Sequence, residues 1–99
     1  MEIVKSKNGG KAVFALNGRL DTATAPQLQE ALIPAFDEAD IVELDFERIS
    51  YISSAGLRVL LLGEKTAKMK NKSMNIVNVS EMIKQVFDMT GFSDILKII

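Results

Sequence analysis

Three times along the chain, a stretch whose apolar residues recur at helical spacing is followed by a short run of strand-forming residues. The first strand-like run of this kind covers residues 41–46, the second 74–79 and the third 95–99. Two strands with a helix between them form a parallel pair, because a crossover of that length carries the chain back to the same end of the sheet. This alternation argues for a sheet whose central strands are parallel. The beginning differs: residues 2–6 and 11–16 are strand-like and only Lys7-Asn8-Gly9-Gly10 separates them. Those four residues supply the positive-φ positions of a hairpin turn. The expected order is β-β-α-β-α-β-α-β, an α/β mixed sheet of about five strands with parallel central strands and the helices packed on it.

The helices carry their own boundary signals. In DTATAPQLQEALIPAF, Thr24 is the expected N-cap with Gln27 three residues on, Pro26 falls in the first turn, and Leu28, Ala31, Leu32 and Phe36 make the apolar stripe. Pro34 has no amide hydrogen and crowds the carbonyl four residues back, so this helix is expected to kink or end there. The acidic Asp37, Glu38 and Asp40 that follow also oppose a helix dipole. From Ala55 to about Lys70, Leu57, Leu60 and Leu61 share one face, which Val59 and Leu62 widen. Ser80 is the expected cap of a third helix whose inward stripe is Met82, Ile83, Val86 and Phe87. Gly91 ends it, with Phe92 placed for a contact back to Phe87.

Composition narrows the chemistry. Ninety-nine residues suit one domain spanning 1–99, and 47% hydrophobic with 25% charged residues is ordinary for a folded protein. Twelve basic against thirteen acidic residues leave no surplus of cations for a nucleic-acid backbone. Without cysteine or histidine the chain lacks thiolate nucleophiles and the commonest general base and metal ligand. The N-terminal residues do not read as a signal peptide, and no apolar run approaches about 18 residues, so a cytoplasmic location without membrane insertion is expected. Lys65, Lys68, Lys70 and Lys72 are either a docking patch for an acidic partner or cations favoured by the end of a helix. Asp21 and Asp45 fall at expected strand ends, but no nucleophile, phosphate loop or third ligand accompanies them. Neither a catalytic site nor a metal or cofactor is expected, and the chain reads as a non-enzyme.

The stretch Tyr51-Ile52-Ser53-Ser54-Ala55-Gly56-Leu57-Arg58 joins a strand to a helix through two hydroxyls and a glycine. One serine hydroxyl can cap a helix amide, contributing about 1 kcal/mol. The same helix N-terminus would also stabilise a phosphate attached to a serine, and Arg58, four residues after Ser54, is within helical reach of it. Gly56 inside a first helical turn costs up to about 1 kcal/mol against alanine, so something is expected to approach its backbone closely.

These residues resemble the STAS domain family, in particular the bacterial anti-sigma factor antagonists, whose motif reads Asp-Ser-Ser/Thr-Gly-Leu-Gly after an aromatic and an aliphatic residue. Here Ser53 stands for the aspartate, Ala55 for the second hydroxyl residue and Arg58 for the last glycine. The resemblance continues in Leu16-Asn17-Gly18-Arg19-Leu20-Asp21 and in Val86-Phe87-Asp88-Met89-Thr90-Gly91-Phe92, and so covers essentially the whole chain. It implies phosphorylation at Ser54, with Ser53 as the alternative acceptor. It also implies a partner surface of Asp21, Thr22, Tyr51, Ile52, Ser53, Ser54, Ala55, Gly56, Leu57 and Arg58. In such a switch the unphosphorylated domain binds an anti-sigma factor that is also a serine kinase and thereby frees a sigma factor, and a serine phosphatase resets the phosphorylated form. The alternatives are a STAS scaffold or subunit of a stressosome-like or lipid-transport complex without phosphorylation, and a small nucleotide-binding or hydrolytic domain.

Overall fold

The structure, a computed structural model, describes residues 1–99. Its elements are β1 (Glu2–Asn8), β2 (Lys11–Leu20), α1 (Ala25–Ala35), β3 (Ile41–Ile52), α2 (Ser54–Met69), β4 (Ser73–Val77), α3 (Glu81–Thr90), a 3₁₀ turn (Phe92–Asp94) and β5 (Lys97–Ile98). The sheet order is β1-β2-β3-β4-β5. Only β1 and β2 are antiparallel, closing on the pair Asn8 and Lys11; the other neighbours are parallel.

Every helical crossover advances the chain one strand in the same direction, and right-handed crossovers of that kind lie on one face of a sheet. Burial follows this geometry. Ala12, Phe14 and Leu16 on β2, Val42, Leu44 and Phe46 on β3, and Met74 and Ile76 on β4 are all buried. They alternate with half-buried or exposed residues such as Val13, Ile41 and Asn75 on the opposite face. The helices close the core with Leu28, Leu32, Leu60, Ile83 and Phe87, the last meeting Phe46 with ring centroids 6.2 Å apart. The outer face carries the Lys11–Glu43 ion pair at 3.2 Å and leaves Val4 exposed.

Several elements run past or stop short of their sequence expectations. Strand β3 continues beyond residue 46 to Ile52, and β2 beyond 16 to Leu20. Their pairing register shifts between Ala15 and Asn17 and again between Gly18 and Arg19. These bulges break the two-residue alternation, leaving Glu47 and Arg48 both exposed, so the pattern stops reading as strand. Strand β4 ends at Val77 because Asn78 takes a φ of 57°, off the extended path. Of residues 95–99, Lys97 and Ile98 form the strand and Ile99 N adds a bond to Ile76 O, whereas Ile95 and Leu96 still donate to Phe92 O after the 3₁₀ turn.

Helix α1 absorbs Pro34 in its penultimate position and ends one residue later. Thr24 does not cap it, and the expected box with Gln27 is absent: the Gln27 amide donates to Met1 O instead. On α3, Ser80 Oγ accepts from Ile83 N as expected, and Gly91 stops the helix at a φ of 80°. Met82, however, faces solvent at 60% exposure and is no part of the inward stripe. The lysines at the end of α2 are mostly engaged within the molecule: Lys68 pairs with Glu64, Lys70 with Asp37 and Lys72 with Asp40. The last two pairs pin the acidic turn after α1 to the end of α2, and of the four lysines only Lys65 is left without a carboxylate partner.

Candidate functional site

The site is assembled where β2 and β3 end side by side, with Arg19 opposite Tyr51 and Leu20 opposite Ile52. The Ser53 amide donates to Leu20 O at 2.9 Å, so the first residue after β3 is tied to the last of β2. Ser53 keeps an extended backbone (φ −103°, ψ 175°), and α2 starts at the next residue. That turn presses the helix onto both strand ends. A Cβ on Gly56 would sit 2.7 Å from Leu20 Cγ, 2.9 Å from Ile52 Cγ1 and 2.9 Å from Leu20 O. The close approach expected at Gly56 is therefore internal, and only glycine lets the first turn of α2 seat there.

Neither serine does what a cap would do. Ser53 occupies the cap position, yet its hydroxyl makes no capping bond; Ser53 Oγ is buried and has no hydrogen-bond partner. Ser54, one residue on, is exposed at the first position of α2. No acidic residue occupies the first turn of α2, so its partial positive charge is uncompensated.

Beside the serines lies the turn from β2 into α1, organised by Asp21. Its Oδ1 accepts from the amides of Ala23 (3.0 Å) and Thr24 (3.1 Å), an Asx turn that takes the place of the expected Thr24 cap. Thr24 Oγ1 instead accepts from Asp21 N at 2.9 Å and donates to Arg19 O at 2.7 Å. Partial burial pushes the Asp21 pKa up, but the bonds from Thr24 and Ala23 and the charge of Arg19 outweigh it and hold the carboxyl below its ordinary value. Arg19 joins the two halves of the site: its guanidinium lies 4.2 Å from the Tyr51 ring centroid and its Nε 3.6 Å from Asp21 Oδ2. Arg19 was not singled out by the sequence, because its contact with Tyr51 exists only through the β2–β3 register.

Thr22, Tyr51, Ser54 and Arg58 are exposed, and Asp21, Ser53 and Ala55 are half-buried. Ile52, Gly56 and Leu57 are buried and give the surface its shape from beneath. Asp45 stands apart: its Oδ1 accepts from Glu47 N and Asn78 Nδ2, both at 3.0 Å, which fixes the bulge in β3 to the end of β4. No helix is long and apolar enough to cross a membrane.

The STAS domain family matches this chain over residues 2–99. The anti-sigma-B factor antagonist of Staphylococcus epidermidis is 33% identical to it over 84 residues, 84% of this chain and 78% of the relative. That of Bacillus subtilis is 33% identical over 81 residues, 82% of this chain and 74% of the relative. The anti-sigma factor antagonist SpoIIAA in its unphosphorylated form has the same fold, with a TM-score of 0.78 at 18% identity over 99% of this chain and 87% of that one. A Bacillus SpoIIAA in the phosphorylated form gives 0.77 at 19% identity, over 99% and 91%. With the family matched from the second residue to the last, and with the strand order and the serine-bearing turn in place, the chain belongs to the STAS domain family.

Proposed function

We propose that the chain is an anti-sigma factor antagonist controlled by phosphorylation of Ser54. Unphosphorylated, it binds an anti-sigma factor that is also a serine kinase, and a sigma factor is released. Phosphorylated, it lets the anti-sigma factor go until a serine phosphatase removes the group. The observation that carries this reading is the contrast between neighbouring hydroxyls: Ser54 is exposed at the start of α2, whereas Ser53 Oγ is buried. A kinase can reach only the first without unfolding the turn. The names of the relatives support the same role.

The physics of the switch is local. A phosphoserine brings a charge of about −2 into the middle of the surface formed by Asp21, Thr22, Tyr51, Ser54, Ala55 and Arg58. The uncompensated N-terminus of α2 stabilises that charge where it forms, and desolvating it against a bound partner is costly. The fold need not change for binding to be lost.

Purification from the native cells in growth and under stress, with mapping of any phosphoryl group, tests the assignment. Occupancy of Ser54 that varies with condition is expected. Ser54→Ala should fold and stay bound to the anti-sigma partner, and Ser54→Asp should bind it much less. An unmodified Ser54 in every condition, or two variants that bind like the parent, refutes the phosphoswitch.

A further inference from the structure

Below Ser54, a groove of about 350 Å³ runs between α1 and α2. Pro26, Ala55, Val59 and Leu62 give it apolar walls, Thr22 also lines it, and Arg58 is its only charged lining residue. Leu62 is 38% exposed, so an apolar wall faces solvent there. Thr22 belongs to the Asp21 turn and Ala55 follows Ser54, which makes the groove continuous with the proposed partner surface.

Arg58 differs from most cations of this chain. Lys5, Lys11, Arg19, Lys68, Lys70, Lys72 and Lys84 each have a carboxylate within ion-pair distance, and Arg58 has none. It also sits near the positive end of α2, whose first turn holds no acid. The groove therefore presents positive charge on an apolar floor, and its complement is a carboxylate next to an apolar side chain. Arginine suits that role because its planar fork can hold a carboxylate with two hydrogen bonds. A phosphate on Ser54, one helical turn away on the same face, would compete for the same fork.

We propose that the groove between α1 and α2 receives an acidic, partly apolar segment of the partner protein, anchored through a carboxylate on Arg58, and that a phosphate on Ser54 withdraws Arg58 from it. This rests on the phosphoswitch reading above and adds the partner's chemistry and the means of release. Phosphorylation then acts on the groove as well as on the surface around Ser54.

The test uses the whole chain, isotope-labelled for amide spectra, with acetyl-Leu-Glu-amide and acetyl-Leu-Lys-amide as probes at millimolar concentration. The glutamate peptide should shift the amides of Thr22, Gln29, Arg58 and Leu62, and the lysine peptide should not. Arg58→Gln should weaken the response about tenfold. Phosphoserine incorporated at position 54 should abolish it, and the phosphorus titration of that residue should move to higher pH when Arg58 is glutamine. Equal responses to the two peptides, no response to either, a full response in Arg58→Gln, or one unaffected by the phosphoserine overturns the assignment. If Ser54→Ala and Ser54→Asp still separate bound from released partner while Arg58→Gln behaves as the parent throughout, the switch stands and the groove assignment falls.

Discussion

Replacing Gly56 with alanine tests whether the seat of α2 on the two strand ends is as tight as the geometry says. In an exposed helix the change would stabilise by up to about 1 kcal/mol. Here the added Cβ meets Leu20 Cγ at 2.7 Å and Ile52 Cγ1 and Leu20 O at 2.9 Å. Leu20 is fully buried and its carbonyl already accepts from Ser53, so neither can retreat without moving the junction. Overpacking costs about 1–3 kcal/mol, and with a backbone carbonyl among the contacts the upper part of that range, about 2–3 kcal/mol, applies; this leaves a net loss of about 1–2 kcal/mol after the gain in helix propensity. For a chain of this size, thermal unfolding should fall by about 5–15 °C. Gly63→Ala is the comparison: its Cβ would meet Leu32 Cδ2 and Met74 Sδ at 2.8 Å, side-chain ends in the same buried core but no backbone atom. It should cost less than Gly56→Ala, because side chains can repack where a carbonyl held by Ser53 cannot. If Gly56→Ala unfolds at or above the parent temperature, or no lower than Gly63→Ala, the close-packing argument is wrong.

Ser53→Ala should leave thermal stability unchanged or raise it by up to about 1 kcal/mol, because it removes a buried hydroxyl without a partner; a loss of about that size would mean Ser53 caps α2 after all. The carboxyls of Asp21, Asp40, Asp88 and Glu38 all titrate below their ordinary values of 3.8 for aspartate and 4.5 for glutamate. The unfolded chain takes up protons first as pH falls, so their stabilising effect is complete above those values and declines through them. Thermal unfolding followed from about pH 6 to pH 3 should show this decline, and Asp21→Asn should make it shallower; an unchanged slope in that variant would contradict the role given to the Asp21 turn.

Much of the fold is legible in the sequence because its signals are local. Helical spacing, the glycines of the hairpin and Gly91 each act within a few residues. What escaped the sequence depends on contacts made at a distance. The bulges of β2 and β3 mask the strand continuing to Ile52, and it is that continuation which delivers Tyr51 to Arg19. Thr24 has the type and position of a cap, yet Asp21 reaches the free amides first and Thr24 turns to brace the strand end. Gly56 announces a close approach in the sequence, but what approaches it is Leu20, far away along the chain. Arg58 is legible in the sequence as a cation within helical reach of Ser54; that it lacks an acidic neighbour is a property of the folded surface.

The one-directional strand order has a consequence for the kind of ligand this molecule can take. In doubly wound sheets the order reverses once, adjacent loops part toward opposite faces, and the crevice between them becomes the binding place of a nucleotide. From β1 to β5 the order here never reverses, so the sheet lacks the switch point at which such a nucleotide crevice opens. Ser54 stands exposed at the carboxyl edge of the sheet, at the first position of α2. A hydroxyl exposed in this way is open to the cleft of another protein, and under the function proposed above the molecule takes part in chemistry by being the substrate.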